Sequence, residues 1–307
     1  MAPPNWPTPP ASGPEQTKVV PATQANAAPE GKATVTSSDP QKSRPELRID
    51  TTIASPARIW NYWVGGKDHF AADREAGEQV IAAVPYLPQM ARHTRQFLIS
   101  AVRQLATDFG IRQFLDIGTG LPTADNTHEV AQQVAPQSRV VYVDNDPIVL
   151  AHARALLTSS PEGKTDYIDA DLRDVDAIVD GAGQRLDLSQ PVAVLLIAIL
   201  HFIPDTDDPY RIVARLMDAV PSGSYLAIVH GANDIQTKAV TAGMRLYNEA
   251  SSTPIRLRNR AEVTRFFDGL EPVGPGMVPI GEWWPPGQID PGALGTLASY
   301  AGIARKK

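Results

Sequence analysis

The segment Phe114-Leu-Asp-Ile-Gly-Thr-Gly-Leu-Pro-Thr123 constrains this chain more than any other, because an apolar strand runs directly into a glycine turn and then into a helical pattern. Gly118 and Gly120 allow backbone geometry that a Cβ would obstruct, and the helix that follows offers free N–H groups at its start. From Gln113 to Val229 short apolar runs alternate with longer helical patterns, which is the sequence form of a parallel sheet with crossover helices. Strands are expected at Phe114 to Ile117, Val140 to Asp144, Asp166 to Ile168, Val192 to Ile199 and Tyr225 to Val229. The fourth run is apolar throughout, as a strand covered on both faces should be. After a helix near Arg260 to Phe267, Met277 to Trp284 and Ala298 to Arg305 are read as an antiparallel edge hairpin. The fold class is therefore α/β, a mostly parallel seven-stranded sheet with helices on both faces.

Ahead of the sheet the texture changes twice. Residues 1–48 are crowded with proline, alanine, serine and threonine and hold few large apolar side chains, too few to offset the entropy of ordering. They are read as a disordered tail. Residues 49–112 form an N-terminal helical cap or lid segment. It opens with Ser55-Pro-Ala-Arg-Ile-Trp-Asn-Tyr-Trp-Val-Gly-Gly-Lys-Asp-His-Phe70 and continues with helical periodicity from Ala72 to Val84 and from Gln89 to Phe109. Residues 113–307 form the sheet domain.

Composition excludes several function classes. The 307 residues carry a formal charge of −6, without the basic excess that draws a phosphate backbone, so a nucleic-acid partner is not expected. There is no cysteine, which removes thiolate nucleophiles, Fe–S clusters and cysteine zinc sites; no metal site is expected. The longest apolar run, Val192 to Leu200, is far short of the ~20 residues that span a bilayer, so no membrane association and a cytoplasmic location are expected.

A lone G-x-G turn is weak evidence, and its surroundings decide what it holds. The second strand ends in Val143-Asp144-Asn145-Asp146-Pro147, which places a carboxylate beside the glycine turn, where it can accept hydrogen bonds from both ribose hydroxyls of a nucleoside. The third strand is followed by Asp169-Ala-Asp171-Leu172, where a carboxylate can meet an adenine amino group. Acidic groups at three successive strand ends form one pattern. Asp171 could instead cap a helix, and Asp146 could cap the helix opened by Pro147.

On these residues the chain resembles class I S-adenosylmethionine-dependent methyltransferases of Rossmann-like fold. Asp116-Ile-Gly-Thr-Gly is similar to their first motif and Val143-Asp-Asn-Asp-Pro147 to their ribose-binding motif. Leu200-His-Phe-Ile-Pro-Asp205 is similar to the segment after their fourth strand. More narrowly, Arg58-Ile-Trp-Asn-Tyr-Trp-Val-Gly-Gly-Lys-Asp-His-Phe-Ala-Ala-Asp-Arg-Glu75 and Asp116-Ile-Gly-Thr-Gly-Leu-Pro-Thr123 resemble an actinobacterial S-adenosyl methyltransferase family, formerly DUF574.

The resemblance implies S-adenosyl-L-methionine as cofactor. It places Asp116 near the amino-acid end, Gly118, Thr119, Gly120 and Leu121 under the methionyl part, Asp144 with Asn145 at the ribose, and Asp171 with Leu172 beside the adenine. Ala198, ending the fourth strand, completes the set. Thr123 stands where a dinucleotide site wants Gly or Ala, which argues against a nicotinamide cofactor.

In-line methyl transfer asks the protein mainly to align acceptor, methyl and sulfur. An oxygen or nitrogen acceptor would usually need a general base, and the candidates are His201, His230 and Asp68. Trp60, Tyr62 and Trp63 are read as packing the N-terminal helices rather than lining an acceptor pocket. The function expected is methyl transfer to a small-molecule acceptor; the alternatives are a non-catalytic S-adenosylmethionine sensor and an NAD-dependent oxidoreductase.

Overall fold

Pairing of successive apolar runs builds the sheet in the computed structural model, which describes residues 50–156, 159–283 and 297–307. The tail, residues 1–48, and Trp284 lie outside the described residues. Five strands run parallel: β1 (Gln113–Ile117), β2 (Arg139–Asp144), β3 (Lys164–Asp169), β4 (Ala193–Ile197) and β5 (Tyr225–Gly231). Two antiparallel strands, β6 (Glu271–Pro279) and β7 (Ser299–Arg305), complete the order β3-β2-β1-β4-β5-β7-β6. The order reverses beside β1, which is where an open α/β sheet leaves a crevice at the carboxyl ends of its strands. Register brings those ends together: Asp116 lies opposite Leu195, Ile117 opposite Val143 and Asp144 opposite Asp169.

Alternate residues of each strand feed two cores. Leu115, Ile117, Val141, Val143, Val194, Leu196, Leu226 and Ile228 pack on α6 (Val175–Gly183) and α7 (Pro209–Asp218). On the other face Phe114, Val140, Tyr142, Leu195 and Ala227 pack on α3 (Leu87–Thr107) and α4 (Thr127–Val134). The remaining helices are α1 (Pro56–Trp63), α2 (Ala71–Ala83), α5 (Pro147–Leu156), α8 (Thr237–Ala250) and α9 (Arg260–Thr264).

Two strands depart from expectation. β4 stops at Ile197 instead of Ile199, because Ala198 adopts φ +60° and the chain turns into a 3₁₀ segment at Leu200–Phe202. The sixth strand is Glu271–Pro279 and not Met277 to Trp284. Pro272, Pro275, Gly274 (φ +59°) and Gly276 (φ +73°) hide it from a period-of-two reading. The register breaks between Val273 and Val278, an irregularity that an edge strand tolerates along with its prolines. Its partner β7 lies between β5 and β6, so only β6 forms that edge.

Before the sheet, α1, α2 and the start of α3 pack with α8 around Ile59, Trp63, Val80, Val84, Leu87, Ala91 and Tyr247. Trp63 is buried and its indole donates to the Gly77 carbonyl at 3.3 Å, consistent with a packing role. Asp73 organises this layer. Its carboxylate, wholly buried, accepts from Arg58 Nε at 2.8 Å, from the Ser55 amide at 3.0 Å and from the Phe70 amide at 2.7 Å. Removing one partner of a buried pair strands the other charge, at a cost of about 3–5 kcal/mol. Asp73→Ala should therefore lower unfolding free energy by about that amount in denaturant titration; a loss no larger than that of an exposed carboxylate substitution would show that the pair does not hold the layer.

Candidate functional site

The site begins where β1 ends. Gly118 (φ +75°) and Gly120 (φ +63°) bend the chain through a conformation that side chains rarely adopt. Their two constraints differ: a Cβ on Gly118 would sit 2.5 Å from the Ile199 side chain, whereas the space at Gly120 is open. Ile199 therefore presses on the glycine turn from just beyond β4.

Asp144 ties this turn to β2. One carboxylate oxygen accepts from the Gly120 amide at 2.9 Å and the other from the Asp146 amide at 2.9 Å. Burial pushes its pKa up, and those two amides oppose the shift. Asp146 caps α5, accepting from the Ile148 amide at 2.9 Å, and its second oxygen accepts from the Ser55 hydroxyl at 2.8 Å. The N-terminal segment is thus anchored at the strand mouths, and Ala57 of α1 packs with Leu121, Ile148 and Val149.

At the next strand end, Asn145 donates to Asp171 at 3.0 Å, joining the loops after β2 and β3. Asp171 is ion-paired with Arg173 at 2.9 Å, and Arg173 reaches on to Asp207 at 2.6 Å. It is not a helix cap: α6 starts at Val175, and Asp174 accepts from the Ala177 amide. Leu172 has its side chain in the sheet core, so only its backbone can face the crevice.

Beneath the glycine turn, on the α3 face, a small solvent-open pocket is lined by Arg95, Asp116, Thr119, Asn126, Tyr142 and Tyr167, among others. Asp116 is buried and accepts from the Thr127 hydroxyl at 2.6 Å. Burial raises its pKa to about 6, against the lowering effects of Thr127 and the Arg95 charge. Arg95 donates to the carbonyls of Ala124 and Asp125, both at 3.1 Å. A cation and an anion share this pocket, and both are partly stripped of water.

Sequence reasoning missed Arg95, Tyr142 and Tyr167. A signal existed: Arg95 follows Ala91 by four residues and precedes Leu98 by three, so it sits on the buried stripe of α3 where an apolar residue belongs.

The three base candidates fare differently. Asp68 is exposed in the loop after α1, with its amide donating to Asn61 Oδ1 at 2.9 Å, and no described contact brings it to the glycine turn. His230 is fully buried in β5, and both ring nitrogens are engaged, at 2.8 Å with the Gly231 carbonyl and at 3.0 Å with Arg258 Nη1. It has no lone pair to offer, which removes it as a base. His201 is half-buried in the 3₁₀ segment, and its Nδ1 is buried without a hydrogen bond. Burial, then the charge of Arg258, lowers its pKa to about 4, so the ring is neutral at physiological pH.

The sequence model of the S-adenosyl methyltransferase family matches residues 42–307. The chain belongs to that family. It is an S-adenosylmethionine-dependent methyltransferase with the class I Rossmann-like fold, and the nicotinamide-dependent alternative falls away. A DUF574 family protein from Streptomyces avermitilis is 48% identical; the alignment covers 85% of this chain and 100% of that one, with a TM-score of 0.81. A protein from Thermobifida fusca described as a candidate methyltransferase is 39% identical, covering 84% and 97% of the two chains with a TM-score of 0.77. No curated protein matches the chain.

Gly118→Ala tests the tightest point of this methyltransferase site. A Cβ there meets both a positive φ and the Ile199 side chain, so the variant should lose about 1–3 kcal/mol of stability and shift the glycine turn. Gly120→Ala, with open space at its Cβ, should lose less. Equal losses in a thermal unfolding comparison would contradict the close approach.

Proposed function

We propose that this methyltransferase acts on a small-molecule acceptor, holding the cofactor's nucleoside across the mouths of β1, β2 and β3, with His201 as the proton acceptor. The observation that carries the reading is the pocket in which Arg95 and Asp116 share one lining directly beneath the glycine turn. Opposite charges in one small compartment fit a zwitterionic amino-acid group, with Asp116 for its ammonium and Arg95 for its carboxylate. Asp144, whose oxygens each accept one amide, retains acceptor capacity for ribose hydroxyls. Asn145 and Asp171 border the adenine side, with the backbone of Leu172. Ala198, held at φ +60°, marks strain of the kind that clusters at functional sites.

S-adenosylmethionine, when bound, supplies a methyl group activated on a positive sulfur. The protein's residues orient the acceptor, exclude water and take the acceptor's proton onto the His201 ring. A neutral imidazole is the form needed for that step. The net charge of −6 favours a small acceptor over nucleic acid. A cytoplasmic setting belongs to the proposal. Among the described residues, no helix is long and apolar enough to cross a membrane.

The Asp116 carboxyl gives this reading a pH signature. It is ionised above about pH 6 and neutral below. Only the ionised form attracts an ammonium group, so affinity for S-adenosylhomocysteine should weaken as pH falls through that value, by at most tenfold per pH unit. Asp116→Asn should bind more weakly at neutral pH and show a flatter profile. Isothermal titration across this range decides it; a wild-type profile as flat as the variant's would overturn the assignment of Asp116 to the ammonium.

A further inference from the structure

Arg258 is the largest side chain buried to 0% exposure in the described chain, and neither the glycine turn nor the Arg95 pocket involves it. Its guanidinium donates four hydrogen bonds. Nη1 reaches the Leu200 carbonyl at 3.1 Å and His230 Nε2 at 3.0 Å; Nη2 reaches the Ile203 carbonyl at 2.9 Å and Asp205 Oδ1 at 2.6 Å. Leu200 and Ile203 flank the turn that carries His201 and Phe202, so one planar group grips that turn at both ends. The neighbouring Arg256 amide donates to the His201 carbonyl at 2.7 Å, which closes the third side.

The chemistry of arginine then fixes the state of His230. A guanidinium has only donors, so His230 Nε2 must accept and cannot carry hydrogen. The proton therefore lies on Nδ1, which donates to the Gly231 carbonyl at 2.8 Å. A protonated ring would set an N–H against the Arg258 N–H. His201, whose ring centroid is 5.9 Å from that of His230, makes no such commitment.

We infer that Arg258 is a positioning residue: it locks His230 as the neutral Nδ1–H tautomer, clamps the His201 turn, and so reserves proton acceptance for His201. The role assigned to His201 rests on the function proposed above; the tautomer of His230 does not. The charged groups around the pair are Arg258 and Arg256 on the segment before α9, Asp205 after the 3₁₀ turn, Glu262 of α9, which accepts from Arg256 at 3.2 Å, and Arg173, which reaches the Phe202 carbonyl at 3.4 Å while paired with Asp171 and Asp207. Asp205 is bonded to both arginines, so its negative charge is spent on them. Both histidines face the positive end of this network. Burial first, and then the neighbouring positive charge or ring, holds their pKa values down.

The test is nitrogen-15 NMR of imidazole-labelled full-length protein, with His201→Gln and His230→Gln to assign the signals. Wild-type His230 should appear as the Nδ1–H tautomer and stay neutral between about pH 5 and 8, where a free histidine titrates. Arg258→Met removes the charge and the donor. His230 should then populate both tautomers, and the His201 titration should rise by about one pH unit or more. Arg258→Lys keeps the charge but not the fork, so it should hold the His201 titration near wild type while loosening the His230 tautomer. An Nε2–H tautomer in the wild type overturns the inference even if no variant folds, and so does a His201 titration unmoved in a folded Arg258→Met protein. Failure of the wild type to bind S-adenosylhomocysteine would instead sink the proposed function and leave the tautomer assignment standing.

Discussion

The Asp144 carboxylate is the joint on which the site depends. Because its two oxygens take amides from the glycine turn and from the start of the β2–α5 connection, two chain segments are set at one strand edge by a single side chain. A carboxylate that accepts several backbone N–H groups holds each of them more firmly than a neutral acceptor would. The parallel register delivers Asp144 to that position, and Ser55, through Asp146, draws the N-terminal layer down onto it. The glycine turn and the start of α1 thus meet at one local arrangement on the strand edge.

Two charged clusters accompany this joint. Arg95 and Asp116 share the α3 face beneath the glycine turn, while Arg258 and Asp205 lie behind the turn after β4. The first pairs charges around an open pocket; the second buries a guanidinium among carbonyls and an imidazole, leaving its Nε without a partner. A buried charge with an unmet donor is expensive, and a fold retains it where the geometry it imposes matters. The strained Ala198 makes the same point: β4 stops there, and Ile199 closes on Gly118 as the chain turns toward His201.

Much of this was legible in the sequence. Apolar runs of the right length gave five parallel strands, and Asp116, Asp144 and Asp171 at successive strand ends gave the edge they share. Where reading failed, the causes are physical. β6 carries two glycines at positive φ and two internal prolines, which a period-of-two pattern rejects although an edge strand accepts them. β4 is shorter than its apolar run because hydropathy does not register the positive φ at Ala198. Arg95, Asp73 and Arg258 act through partners 15 to 58 residues away in sequence, and pairings at that separation exist only once the chain has folded. His230 looked equal to His201 for the same reason, since nothing near it in sequence announces the guanidinium that occupies its lone pair.

The central claim is that a nucleoside lies across the mouths of the first three strands. A crystal structure of the full chain with S-adenosylhomocysteine tests it most directly. The account predicts ribose hydroxyls on the Asp144 carboxylate and the amino-acid end between Asp116 and Arg95. A ligand found elsewhere, with Asp144 still bonded only to the Gly120 and Asp146 amides, would contradict it.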